Sequence, residues 1–195
     1  MPTRDRSITT RATAGFGTQR IDKEIAPASV KEFRELLRAA ESGDAVAQYA
    51  VGLIYEEGRG DWEILQDQQE AIRWHFAAAE QGLAAAQFSL GWLLPSDDPD
   101  QVIRWYRAAA EQGHAEAQFH LGVEYSVGTL VEQDLEQSVR WFRSAAELGN
   151  AEAQQSLGDA YLNGHGIEQN RHEAQYWHER ALLSRDDDDR IFRGV

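Results

Sequence analysis

Small and apolar residues recur along this chain in a fixed order. WHFAAAEQGLAAAQFSLG at 74–91 is followed by WYRAAAEQGHAEAQFHLG at 105–122 and by WFRSAAELGNAEAQQSLG at 141–158. In each stretch the apolar positions fall three and four residues apart, as in a helix with one buried side, and Glu-x-Gly marks where one helix stops before the next begins. Four blocks align on this pattern: 45–83, 84–114, 115–150 and 151–183. Each holds two predicted helices. The first opens on Ala-x-Ala-Gln and runs through a glycine (Gly52, Gly91, Gly122, Gly158), and the second is built on a tryptophan (Trp74, Trp105, Trp141, Trp177) followed by alanines.

The spacings say how the blocks connect. Trp74 to Gly91, Trp105 to Gly122 and Trp141 to Gly158 are each 17 residues, whereas glycine to tryptophan within a block is 22, 14, 19 and 19. The fixed unit is therefore the second helix of one block, a tight turn and the first helix of the next. Length varies only in the other connection, as expected for a loop that projects from a stacked array.

A glycine inside a helix costs about 1 kcal/mol relative to alanine, so its recurrence needs a packing reason. Small residues such as Ala115, Ala117 and Gly122 allow close approach of another helix, and a large aromatic such as Trp105 or Tyr125 is expected to fill the space beside Gly122. Gly82, Gly113 and Gly149 stand where a helix ends and a left-handed residue is wanted. Residues 29–43, SVKEFRELLRAAESG, read as a capping helix with Phe33, Leu36, Leu37 and Ala40 on one side. Asp98 and Pro99 supply an N-cap and a first helical residue where the second block's loop is shortened to LLPSDDPDQ.

Composition narrows the function. The chain has 195 residues, no cysteine and a net charge of −14. Disulfides and thiolate metal sites are excluded. Residues 1–28, read as a flexible N-terminal tail, hold five basic and three acidic groups, and 184–195, read as an acidic C-terminal tail, hold three and four, which leaves −15 on residues 29–183. A body this acidic disfavours nucleic acid and anionic membrane, both of which need a basic face, and suits a basic protein or peptide as partner. The N-terminus lacks the apolar run of a secretory signal and no later stretch is long enough to span a bilayer, so the chain reads as cytoplasmic, with the Arg- and Thr-rich start leaving export by a non-classical route as an alternative.

No catalytic signature or cofactor motif is present. Gly-Arg-Gly at 58–60 and Gly-His-Gly at 164–166 follow no strand and read as turns. His172 and His178 are six apart, not the four that a helical zinc pair requires, and no metal site is assigned. His75, His114 and His120 fall at variable positions and read as surface or edge imidazoles.

The pattern A-x-A-x-x-x-L-G-x-x-Y-x-x-G-x-G, then a D-x-x-x-A-x-x-W segment ending A-A-E-x-G, resembles the SEL-1-like repeat family, a branch of the tetratricopeptide-like solenoids. AEAQQSLGDAYLNGHGIEQNRHEAQYW in the fourth block matches almost position for position. The first block departs by three extra residues, the second lacks the tyrosine and the paired loop glycines, and the third has Leu130 in place of the second loop glycine. The resemblance implies an all-α, right-handed α-α superhelix of about four helix pairs after the capping helix. It also implies an adaptor or scaffold that works through protein contacts, with no chemistry of its own.

By analogy with tetratricopeptide repeats, the first helices line a concave face, and the positions one, four and eight residues after each leading alanine point into it. These are Val46, Tyr49, Leu53; Ala85, Phe88, Trp92; Glu116, Phe119, Val123; and Glu152, Gln155, Asp159. Tyr49, Phe88 and Phe119 form an expected aromatic row with an acidic rim, suited to a basic, partly apolar segment. Two other roles fit the acidic body and the basic tail respectively: an immunity or toxin-neutralising protein that caps a basic enzyme, and a secreted effector.

Overall fold

The computed structural model describes residue 27 and residues 29–59, 64–95 and 97–193, with side chains described as far as Ser184. The flexible tail expected over 1–28 lies, Pro27 apart, outside the described residues. Nine helices account for the ordered body among those residues: α1 (Val30–Glu41), α2 (Ala45–Glu57), α3 (Gln68–Glu80), α4 (Ala84–Leu93), α5 (Pro99–Glu111), α6 (Ala115–Val127), α7 (Leu135–Glu147), α8 (Ala151–Asn163) and α9 (Arg171–Arg193). Each packs chiefly on the helix before it and the helix after it, which is the one-dimensional stacking of a repeat superhelix.

Local chemistry sets the helix ends. Ser29, Asp44, Asp67, Asp98, Asp134 and Asn150 each accept a backbone N–H of the following first turn through a side-chain oxygen. Pro99 begins α5 behind Asp98, as the shortened loop predicts. The tight turns close on Gly43, Gly82, Gly113 and Gly149, all at positive φ between 85° and 101°, a region that a side chain makes costly.

The core repeats with the sequence. Val51, Leu90, Leu121 and Leu157, each just before a first-helix glycine, are fully buried, and each such side chain contributes about 1.5–3 kcal/mol. The glycines themselves face one residue type of position. A Cβ built on Gly52 would lie 2.6 Å from His75, on Gly91 2.5 Å from Tyr106 and on Gly122 2.7 Å from Phe142, and one on Gly158 would collide with His178. The aromatic opposite Gly122 is therefore Phe142, not Trp105 or Tyr125. The physical reason is helical phase: the residue after each tryptophan points at its own block's first helix, while Trp74 and Trp105 pack in the clusters at the joints.

A second recurring contact joins the blocks. The glutamine of each Ala-x-Ala-Gln donates Nε2 to a carbonyl eight residues back: Gln48 to Ala40 (3.1 Å), Gln87 to Ala79 (3.2 Å), Gln118 to Ala110 (3.0 Å) and Gln154 to Ala146 (3.1 Å). These carbonyls belong to the last turn of a helix, where each also accepts the N–H of the turn glycine at 2.9–3.1 Å, and the glutamine fills the second acceptor position. The amide oxygen then accepts from the next second helix, Gln81 to Gln48 (2.8 Å), Gln112 to Gln87 (2.7 Å) and Ser184 to Gln154 (3.0 Å). At the remaining joint the residue in register is Leu148, which has no donor, and Gln118 Oε1 is buried with no protein partner.

Two expectations change. His75 is fully buried and not at the surface, because its ring fills the slot against Gly52 and its Nε2 lies 3.3 Å from Glu56 Oε2. The last helix does not stop near residue 183: α9 runs to Arg193, since Arg185 stands where the other second helices have their turn glycine and the next glycine is Gly194. No helix among the described residues is long and apolar enough to cross a membrane.

Candidate protein-binding face

The four first helices, α2, α4, α6 and α8, carry no lysine or arginine. Their charged residues are all acids, Glu56, Glu57, Glu116, Glu124, Glu152 and Asp159. The second helices hold most of the arginines of the body, Arg73 on α3, Arg104 and Arg107 on α5, Arg140 and Arg143 on α7, and Arg171 and Arg180 on α9, with Arg34 and Arg38 on α1 and Arg59 in a loop. Two of those arginines join successive blocks. Arg107 donates to the Tyr125 hydroxyl (3.1 Å) and Arg143 to that of Tyr161 (2.7 Å), one block on. The first helices thus form an acidic side free of arginine and lysine, with α4 uncharged and α2, α6 and α8 carrying only acids, while the second helices mix arginines with acids.

On the acidic side the sequence-predicted positions differ in how much surface they offer. Trp92 is 39% exposed, Gln155 and Asp159 are exposed, and Tyr49, Phe88, Phe119, Val123, Glu116 and Glu152 are half-buried. Leu53 is buried in the core at 8% exposure. Asp159 pairs with His178 (3.0 Å), and Glu116 accepts from the Asn150 amide (2.9 Å). Tyr49 leans on His75, with ring centroids 5.3 Å apart.

Phe88, Trp92 and Phe119 are brought together by a residue that sequence reasoning assigned to the surface. The His120 ring lies 5.6 Å from Phe88, 5.4 Å from Trp92 and 5.4 Å from Phe119, and it stacks on Tyr106 at 5.6 Å with only 11° between the planes. Phe88 also stacks on His114 at 4.8 Å. The result is a continuous aromatic cluster from α4, α5 and α6, with Tyr106 buried beneath it and the other rings partly open to solvent. Two signals for it stood in the sequence: Tyr106 occupies the ring-on-glycine position, and His120 lies four residues before Glu124 on one helical face.

His114 has a definite role. Its Nδ1 accepts from the backbone N–H of Ala117 (3.3 Å), so the imidazole caps α6 where the first and fourth blocks use Asp44 and Asn150 and the second has Leu83 with no side-chain cap. Burial lowers its pKa below the ordinary imidazole value. The cap needs an unprotonated nitrogen, and the environment favours it.

Open grooves lie elsewhere, on the second helices. One of about 450 Å³ is lined by Val139, Arg143 and Ile167, and another of about 420 Å³ by Ile103, Arg107 and Val131, the same positions one block earlier. They are the shallow spaces between a second helix and the next block's loop, where the Arg–Tyr contacts sit. Among the described residues no three His, Asp or Glu side chains are grouped as a metal ion would need.

Comparison with known proteins agrees with this architecture. The model of the Sel1 repeat matches residues 45–83, 84–114, 115–150 and 151–184. No curated protein matches the chain as a relative. Among solved structures, c5321, a protective antigen of uropathogenic Escherichia coli with an SLR fold, superposes with a TM-score of 0.72 at 39% identity over 77% of this chain and 33% of that one. A Sel1 repeat protein from Oxalobacter formigenes gives 0.71 at 35% identity over 77% of this chain and 61% of its own. The immunity protein Pa5087 of Pseudomonas aeruginosa shares the fold, with a TM-score of 0.54 at 17% identity over 81% of this chain and 61% of that one. The chain thus spans a third of the first of these proteins and about three fifths of the second. Four successive repeat matches, on the same boundaries as the glycine slots and glutamine bonds, mean that this chain belongs to the Sel1 repeat family.

Proposed function

We propose that this protein is a non-enzymatic adaptor whose four first helices line the concave face and hold a basic, partly apolar segment of another protein. Sel1 repeat proteins generally work through protein–protein contacts, and the family supplies the coarse part of this reading. The observation that carries the rest is the segregation of charge: α2, α4, α6 and α8 together present acids and aromatics with no arginine or lysine, while most arginines of the body stand on the second helices, where Arg107 and Arg143 bond to tyrosine hydroxyls. An all-acidic face on a chain of charge −14 attracts a basic partner and repels an acidic one over the Debye length. Half-buried aromatics within it supply the apolar anchoring that charge alone does not.

Affinity capture on the wild-type chain, on a Glu152→Lys/Asp159→Lys variant and on an Arg104→Glu/Arg140→Glu variant tests this. Mass spectrometry should find partners lost from the first variant and kept by the second. Loss with the second variant alone would move the partner to the arginine-bearing side and end the proposal. An immunity role would use the same acidic surface and differ in its product, a single stoichiometric basic enzyme in place of several partners.

A further inference from the structure

Trp92 is the most exposed aromatic of the cluster around His120, and the reason lies in the backbone. Its counterparts Leu53 and Val123 are each followed by four more helical residues, whereas α4 ends at Leu93, one residue past Trp92. Leu53 is correspondingly buried at 8% exposure and Trp92 open at 39%. Trp92 therefore presents an open aromatic surface, with Phe88 one turn before it and the His120 ring 5.4 Å away, of the kind that marks an interaction site.

The surroundings say what the exposed ring suits. Neither α4 nor α6 carries a lysine or arginine, and Glu124 stands one turn beyond His120 on the same side of α6. Aromatic faces attract cations, most strongly over tryptophan, and a planar guanidinium stacks on a ring while its edge N–H groups reach a carboxylate. Tyr106, stacked under His120, and Phe119, 5.4 Å from it, hold the imidazole in place, so the cluster keeps its shape as a wall.

We infer that Trp92, Phe88, Phe119 and His120, with Glu124 at the edge, form a docking site for an arginine side chain of the partner protein. This rests on the adaptor reading of the acidic face and sharpens it: an arginine anchors at the second block, and the other acids guide the rest of the segment.

The test uses the full chain labelled with ¹⁵N, whose six tryptophan indole N–H groups report separately, titrated at neutral pH and low salt with acetylated tetra-arginine amide. The Trp92 indole should shift in a saturable way, and tetra-citrulline, which keeps the shape without the charge, should leave it still. Trp92→Leu, which restores the residue of the first block, should keep the helical circular dichroism and weaken binding by about tenfold. Glu152→Gln/Asp159→Asn, on α8 and away from the cluster, should weaken it by about threefold through charge alone. Wild-type affinity in Trp92→Leu with weakening in the α8 variant would overturn the arginine site and leave the acidic face as the binding surface. Unchanged affinity in both, or no binding at all, would sink both. A Trp92 indole that moves in the free chain when Arg4, Arg6, Arg11 and Arg20 are replaced by glutamine would give the site to the chain's own N-terminal segment and overturn its assignment to a partner.

Discussion

The first helices have two sides that behave differently from block to block. On the seam side the residues hardly vary: a glycine against a ring, a glutamine against a carbonyl, an aliphatic at the centre. On the outward side the same register holds Tyr49, Phe88, Phe119 and Gln155, or Leu53, Trp92, Val123 and Asp159. The constant side has one task in every block, which is to let the next helix close at a fixed distance. The varied side has no such shared task, and under the proposed adaptor function its differences are where partner choice would lie.

Changes to the seam should therefore act on stability. The largest effect is expected for Gly122→Val, whose Cβ would meet Phe142 at 2.7 Å: a loss of about 3 kcal/mol in chemical denaturation. A milder seam change probes the glutamine bonds. Gln87 makes two of them and Gln118 one, so Gln87→Ala should cost about 2 kcal/mol and Gln118→Ala about 1 kcal/mol in the same measurement. Equal losses would mean that the bond from Gln112 contributes nothing.

Two substitutions should stabilise. Leu148→Gln places a donor where Gln112 and Gln81 already stand and should raise stability by about 1 kcal/mol by pairing Gln118 Oε1. His75→Phe copies the Phe142 slot and removes a buried imidazole nitrogen, Nδ1, that has no hydrogen-bond partner. A gain of about 1 kcal/mol is expected in thermal unfolding, and a loss would show that the Glu56 contact outweighs the orphaned nitrogen.

The smallest effect is one of pH. Burial holds the His114 pKa below its unfolded value, so on acidification the unfolded chain binds this proton first. Its contribution is whole above about pH 6.5 and falls away as the pH drops below that toward the folded-state pKa. His114→Asn, with the cap residue of the fourth block, should flatten this part of the profile of melting temperature against pH. Parallel profiles would remove the imidazole as a titrating cap.

Most of the fold was legible in the sequence because the repeat states it several times. The constant 17-residue spacing placed the tight turns, and the turn glycines are where the phase of the pattern demands them. What was not legible depends on which way a side chain points. The residue after each tryptophan, not the tryptophan, meets the glycine, a difference of about 100° around the helix that spacing alone leaves open. His75 and His120 look alike in sequence, yet one fills a core slot and the other stands among aromatics at the surface. The end of α9 was missed for a simpler reason: charge was taken to stop a helix that only the absent turn glycine would have stopped. The aromatic row was placed on the first helices from the repeat register, but Tyr49 packs on His75 instead, and the closing of Phe88 and Phe119 into one cluster with Trp92 needed His120, whose neighbours come from three helices.

The account turns on the acidic side being the one that receives a partner. Backbone amide shifts of the labelled full chain during the tetra-arginine titration measure this directly. Perturbed amides should fall on α2, α4, α6 and α8, strongest about Trp92 and His120, with α3, α5 and α7 unmoved on their arginine-bearing sides. Shifts concentrated on Arg104, Arg107, Arg140 and Arg143 and their grooves would contradict it.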